Sequence, residues 1–461
     1  MTKILFISYY FPPVGGSGVL RAQKFVEFLP QEGFIPTVVA GPAVLKDRWG
    51  PSDPTLSANL PSNIQVHRVD GSPPTSAKRL GRRLDRWLAL PTPFAKWWVP
   101  SATELAFRAA NGMDLILATM SPFESAEVAS KLSQRLGIPW VADLRDPWAL
   151  DDIEIYPTLL HRKLEIGKME TLLSSAALIV MNTPEAARAL KAALPKLGNK
   201  EVLAITNGFD AKDFAGTPEP RSDSKFRIVH AGGMFTGAGF QLRRRRFYQV
   251  LGGVVPGVDI LGRSPVILLD ALERWSARRP EIKKDLELVF AGKIAEEDQA
   301  LVTGSKMSSL IRFTGFLPHE NSLQLIRTAD LLFLPMHNLP PGKRCLSIPG
   351  KTYEYMASGR PILAAVPDGD GRDFLSQCGT ALLCRPDEAA GMIHILDQVY
   401  SAWKQREPVP KLNQDFVQQF ERRNLTRILA QAFCGLLENA PERDADYLAV
   451  PEQIEPILPS Y

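Results

Sequence analysis

The sequence predicts an α/β protein built as two Rossmann-like, doubly wound parallel-sheet domains facing a central cleft. Short apolar runs alternate with helical stretches along most of the 461 residues, the pattern of βαβ units. That rhythm stops at a proline- and charge-rich linker, Gly216 to Lys225, and then starts again. The length also exceeds what one hydrophobic core holds. The first domain reads as residues 1–220 and the second as 221–405. A last helix within 406–440 is expected to pack back across the domains, and 441–461 reads as a polar tail.

Lys3-Ile-Leu-Phe-Ile-Ser8 is a continuous apolar run, as expected for a buried parallel strand. The loop Tyr9–Gly18 leads into a helix over about Val19 to Leu29, and a second strand lies near Pro36 to Ala40. Gly15, Gly16 and Gly18 let a backbone approach a phosphate or sugar. Arg21 stands where the dinucleotide fingerprint needs its third glycine, so the loop does not read as an NAD site. Further strands are predicted over Asp114–Ala118, Ile138–Asp143, Ala177–Met181 and Val202–Thr206, with helices around 124–136, 158–174 and 184–193. Function in such sheets gathers at the carboxyl ends of strands. There stand Asp143-Leu-Arg-Asp-Pro-Trp148 and Asn207-Gly-Phe-Asp210. Asp143, Arg145 and Asp146 are candidates for catalysis or, equally, for a structural ion pair.

Residues 76–100 interrupt the rhythm with six basic residues against one acidic. Leu80, Leu84, Trp87 and Leu88 recur at helical spacing with Arg79, Arg82 and Arg83 beside them, and Trp97 and Trp98 follow. A basic amphipathic helix with adjacent aromatics is the pattern of an interfacial membrane anchor. The alternative is a helix packed on its own domain with solvated arginines. Nucleic acid is the weakest option, since no binding module accompanies the patch.

In the second half, strands are expected at Phe226–Ala231, Leu286–Gly292, Ile311–Gly315, Leu331–Pro335, Ile362–Val366 and Ala381–Cys384. Helices are expected near 265–277, 319–328, 351–358, 387–403 and 413–438. A glycine-rich insertion over 237–261, carrying Arg243-Arg-Arg-Arg246, reads as a solvated basic loop or as a flap over an anionic ligand. Ser347–Ala365 is the richest stretch: a glycine-broken loop feeds a helix whose N-terminus favours anions. Lys351 adds charge there, and Glu354, one turn on, suits a vicinal diol. Together they point to a nucleotide-linked sugar; the alternative is an ordinary αβ unit with a lysine in its first turn.

Composition bounds the rest. Apolar residues make up 45%, charged residues 23%, and the net charge is +4, ordinary values for a globular protein. Four cysteines without paired metal-type spacing suit a reducing cytosol. The N-terminus is too short for a signal peptide, and no apolar run approaches the roughly 20 residues of a spanning helix. The expected location is therefore cytoplasmic, with contact to the inner face of the cytoplasmic membrane made from its surface.

From residue 3 to about 435 the chain resembles the GT-B glycosyltransferases of family 4, in the bacterial branch that builds surface polysaccharides. The resemblance rests on Tyr9-Tyr-Phe-Pro-Pro with Gly15-Gly-Ser-Gly-Val19, on the Asp143 and Asn207 motifs, and on Phe313-Thr-Gly-Phe316. Lys351-Thr-Tyr-Glu-Tyr-Met-Ala-Ser-Gly-Arg-Pro361 completes it. It implies an acceptor-binding first domain, a donor-binding second domain and α-retaining transfer of a hexosyl group from a nucleotide-diphosphate sugar. It implies no cofactor and no metal, so Asp368-Gly-Asp370 is expected to be a loop. The implied acceptor is a saccharide or a polyprenyl-linked saccharide. Gly16 matches the glycine that approaches the donor, Glu354 the ribose carboxylate, Gly315 and Phe316 the loop at the base, and Arg263 the cation at the diphosphate.

Three departures stand out. The family's glutamate pair, separated by seven residues, would begin at position 346, which is Leu346, leaving Lys351 or the Ser347–Gly350 backbone to meet the sugar. Arg145 stands where many relatives carry a histidine. The insertion falls inside the usual phosphate loop. A nucleotide-sugar epimerase on the same fold, or a degenerate partner subunit, are the competing readings.

Overall fold

The computed structural model describes residues 1–45, 52–71, 87–89, 91–244 and 247–438. Arg79, Arg82, Arg83, Arg245, Arg246 and the 441–461 tail lie outside the described residues.

The first sheet contains β1 (Thr2–Ser8), β2 (Phe34–Ala40), β3 (Gln65–Arg68), β4 (Leu115–Met120), β5 (Trp140–Leu144), β6 (Leu178–Met181) and β7 (Val202–Ala204). Their order is β3-β2-β1-β4-β5-β6-β7. The second contains β8 (Phe226–Ala231), β9 (Leu286–Ala291), β10 (Ile311–Gly315), β11 (Leu331–Pro335), β12 (Ile362–Ala365) and β13 (Ala381–Cys384), ordered β10-β9-β8-β11-β12-β13. Neighbouring strands run parallel, with Ile4 opposite Leu115 at the centre of the first sheet and Ile228 opposite Leu331 in the second. Ile4, Leu5, Phe6 and Ile7 are all fully buried, because helices cover both faces of the sheet and successive side chains meet apolar layers either way. Strand order reverses between β1 and β4 and between β8 and β11, which opens a crevice at the carboxyl ends there.

The helix Ser17–Phe28 (α1) follows the glycine loop. The expected helix over 413–438 is two, Gln414–Gln418 and Arg422–Glu438. The second returns to the first domain, where Leu425, Leu429 and Phe433 join Ile4, Phe6 and Phe25 in one core. β3 was not anticipated, because Gln65-Val-His-Arg68 is a half-exposed edge strand without an apolar run.

Two expectations change. The insertion is no plain loop: Thr236–Arg244 and Phe247–Val250 are helical. It is stitched to the first domain by Tyr156 N–H to Gly253 O at 2.8 Å and Leu159 N–H to Leu251 O at 2.9 Å. Trp98 is not a surface anchor. It is fully buried, donates its indole N–H to Ser125 Oγ at 3.3 Å and meets the Tyr9 ring edge-on at 4.9 Å. Trp97 is half-buried against the same core, and only Trp87 of the three is exposed.

Candidate active site

The carboxyl ends of the two sheets enclose an interdomain cavity of about 430 Å³. Gly16, Arg21, Thr206 and Asn207 line it from the first domain; Gly232, Arg263, Phe316, Lys351 and Glu354 line it from the second. Of the candidates from sequence, Gly16, Arg263, Phe316, Lys351 and Glu354 therefore converge on one space. Gly315 lies outside the lining. Its role is to turn the chain before Phe316, with φ +71 and its carbonyl accepting from Gly292 N–H at 2.8 Å.

Lys351 passes beside Gly232. A Cβ on Gly232 would lie 2.5 Å from Lys351 Nζ, and its φ of +114 suits glycine alone. Lys351 Nζ donates to His230 Nε2 at 3.2 Å, while His230 Nδ1–H donates to Phe333 O at 2.9 Å. Burial, followed by the Lys351 charge, holds His230 well below its usual range, so the ring is neutral. Burial also lowers Lys351 to about 7, with the Arg263 guanidinium adding to the effect. Two basic side chains thus face one cavity, which favours a multivalent anion. The Lys351–Ala357 helix adds less than expected. Its first amides are already used, Thr352 N–H on Pro349 O at 2.9 Å and Tyr353 N–H on Gly350 O at 3.3 Å.

Glu354 Oε1 lies 3.7 Å from Arg422 Nη2. Arg422, brought in by the returning helix, is buried with its Nη1 unpartnered among the described residues. Sequence reasoning missed it, since nothing local marks an arginine hundreds of positions from the glycine loop. His319 also lines the cavity and bonds Asp213 through Nε2 at 3.3 Å. Its ring is raised despite burial because Asp213 and Glu354 favour the charged form.

The Asp143 motif divides. Asp143 is fully buried and outside the cavity lining, and its oxygens accept from Arg21 Nη2 at 2.7 Å, Arg21 Nε at 3.0 Å and Thr119 Oγ1 at 2.7 Å. Its carboxylate is thus engaged by Arg21 and Thr119, the structural ion pair that the sequence offered as one of two readings. Arg145 is buried beneath the glycine loop, its Nη1 unpartnered among the described residues and 2.8 Å from where a Gly18 Cβ would stand. Asp146 touches solvent but is hemmed in by protein, which raises its carboxyl; Arg145 and Arg263 partly offset this.

Leu346 packs against the first-domain core, and its carbonyl accepts from Thr183 Oγ1 at 2.8 Å. The position expected to offer a carboxylate is therefore an apolar plug between domains. Asp368 and Asp370 are likewise engaged: Asp370 accepts from Glu185 N–H at 2.6 Å and Asp368 from Gly342 N–H at 3.1 Å.

Two parallel sheets with this strand order around a shared cleft make the GT-B fold of glycosyltransferases. Residues 264–402 match the family model "Glycosyl transferases group 1". Three solved structures share the fold. Sucrose-phosphate synthase from Thermosynechococcus elongatus superposes with a TM-score of 0.65 at 16% identity, covering 95% of this chain and 100% of the other. HepE of Anabaena in complex with UDP-glucose gives 0.58 at 17%, covering 94% and 100%. A putative UDP-N-acetylglucosamine 2-epimerase from Listeria monocytogenes gives 0.52 at 14%, covering 95% and 97%. No curated protein matches the chain.

Two outcomes follow. Above pH 7 a nucleoside diphosphate is already almost fully ionised, whereas Lys351 in the empty cleft is losing its proton. Binding the anion restores that proton. UDP or GDP affinity should therefore fall as pH rises from 7 to 9, by up to about tenfold per unit, with calorimetry in different buffers reading proton uptake. A flat profile, or one shared by Lys351→Met, removes Lys351 from the anion site. Leu346→Glu should lower the melting temperature and bring no gain in activity, because it buries a carboxylate against apolar groups; a stable, faster variant would show that the plug has no such role.

Proposed function

We propose that the protein transfers a hexosyl group from a nucleotide-diphosphate sugar, with retention at the anomeric carbon, to a lipid-linked saccharide in bacterial surface-polysaccharide synthesis. The observation that carries this is the convergence of Lys351, Arg263 and Glu354 on one interdomain cavity inside a glycosyl transferase group 1 segment. Lys351 and Arg263 would hold the diphosphate and stabilise the charge that grows on it as the glycosidic bond breaks. Glu354, braced by Arg422, would take the ribose hydroxyls, and the exposed Phe316 would meet the base. Asp143 would act through Arg21 by fixing α1 and hence Gly16. In this reading a phosphate oxygen of the leaving group takes the acceptor's proton, and no metal is assigned to the diphosphate.

Epimerisation ranks lower. The 2-epimerase neighbour from Listeria monocytogenes means that this fold alone does not exclude it, but His230, the histidine at the strand end, is committed to Phe333 O and Lys351. Glu354→Ala should weaken UDP or GDP binding at least tenfold, an estimate from losing charge-assisted hydrogen bonds, read by calorimetry. Undiminished affinity for every nucleotide removes Glu354 from the site. Donor incubated without acceptor should stay unisomerised, and binding without turnover on any acceptor would favour the degenerate-subunit reading.

The membrane reading gains a new surface. Leu159, Leu160 and Leu164 on one helix, Trp87 and Leu88 beside it, and Phe247, Val250 and Leu251 on the insertion are all exposed. They are joined by the Trp87–His161 ring contact at 5.8 Å and the Leu159–Leu251 hydrogen bond. Among the described residues no helix is long and apolar enough to cross a membrane, so attachment would be peripheral. Liposomes rich in anionic lipid should float the wild type, and Leu160→Glu/Leu164→Glu/Val250→Glu should abolish flotation. Arg79→Glu/Arg82→Glu/Arg83→Glu should reduce it; equal flotation of all three proteins would sink the reading.

A further inference from the structure

Asp152, His337 and Cys345 stand together outside the cavity lining, and nothing in the transfer reading uses them. One ligating atom from each lies within 4.8 Å of the others. All three are buried, at 4%, 0% and 3% exposure. Asp152 comes from the segment after β5 in the first domain, His337 and Cys345 from the loop after β11 in the second. The spacing of cysteines along the chain gave no sign of this, because the ligands are recruited from both domains.

Two details point to a missing partner. Cys345 Sγ lies 3.5 Å from His337 Nε2. Ligands at about 2.3 Å for sulfur and about 2.0 Å for nitrogen on adjacent corners of a zinc tetrahedron stand about that far apart. Asp152 Oδ2 has no hydrogen-bond partner among the described residues, which is rare for a buried polar atom. Asp152 Oδ1 already faces Lys343 Nζ at 3.2 Å, so its second oxygen is the one left over.

We propose that Asp152, His337 and Cys345 bind a zinc ion that clasps the two domains. Sulfur and imidazole select zinc over magnesium or calcium. A thiolate and a carboxylate together neutralise the dication, which matters because Lys343 and Arg263 stand nearby. On binding, Cys345 forms a sulfur–metal bond and gives its proton to solvent, one proton per ion. The three side chains leave one tetrahedral corner for water or a backbone oxygen. The ion would tie the β5 segment to the loop that carries Leu346, the same loop that leads into Lys351.

The test uses the full chain stripped with chelator and reloaded with zinc or cobalt alone. The wild type should retain one zinc per chain after gel filtration. Its cobalt form should show a thiolate-to-cobalt charge-transfer band. Cys345→Ser should lose that band, while Cys434→Ser, at the exposed cysteine, should keep it. His337→Gln and Asp152→Asn should each weaken zinc by more than the roughly 10–100-fold that losing an outer-sphere partner costs. Zinc should raise the melting temperature of the wild type and not of Asp152→Asn, a variant whose own unloaded melting curve shows that it folds. A wild type that retains no zinc, or a cobalt band that follows Cys434, overturns the proposal.

Discussion

A buried ion pair braces the first-domain wall of the interdomain cleft. Arg21 on α1 grips Asp143 at the end of β5 through two nitrogens and reaches Thr206 O at 2.7 Å with a third. Thr119, at the end of β4, supplies another donor to the same carboxylate. One guanidinium thus ties the first helix to two strand ends and to the segment that leaves β7. Such a pair is tolerable out of water only because nearly every lone pair and N–H finds a partner. Removing one member would strand the other, and α1 would lose the constraint that places Gly16 at the cavity. The arginine that breaks the dinucleotide fingerprint is the residue that builds the site.

The two domains are held to one another by three tethers of different character. The returning helix buries Leu425, Leu429 and Phe433 on the first domain and delivers Arg422 to Glu354. Around its start, Arg422 N–H bonds Phe209 O at 2.9 Å, and Gly208 lies too close to Phe420 O to admit a side chain. The loop after β11 crosses the cleft with Lys343 on Asp152, Arg344 on Glu185 and Leu346 in apolar contact. The insertion straps the second domain to the β5–β6 side of the first through backbone hydrogen bonds. Polar and apolar contacts at one boundary let it close without an extensive hydrophobic interface, the usual condition for domains that move relative to one another.

Positive charge gathers on one side of the cleft. Lys351 and Arg263 face the cavity together, and His230 is kept neutral beneath them, so it accepts a hydrogen bond instead of adding a third repulsive charge. Asp151 and Asp146, across the boundary, only partly compensate the charge of Arg263. Burial raises Asp151 to about 7, with Asp146 adding to the effect, which weakens that compensation further. A preorganised cationic pocket of this kind costs the empty protein stability and returns it when an anion arrives.

The sequence by itself determined the two parallel-sheet domains, every strand but β3, and several of the residues that line the cavity between them. Runs such as Ile4–Ile7 and Leu331–Leu334 can only be strands buried on both faces, and glycines at loop–helix junctions mark where backbone meets ligand. Lys351 and Glu354 were legible because their spacing is local, one helical turn. Everything that depends on two distant segments was decided by the tertiary structure. Asp143 carries the same carboxylate whether it reacts or braces, and only its burial against Arg21 separates the two. Trp97 and Trp98 look alike in sequence beside Trp87, yet helix packing turned Trp98 into the core. Leu346 read as a lost glutamate and proved to be a contact between domains. Arg422, and the meeting of Asp152 with His337 and Cys345, left no local pattern, because side chains from separate domains become neighbours only when the chain has closed on itself.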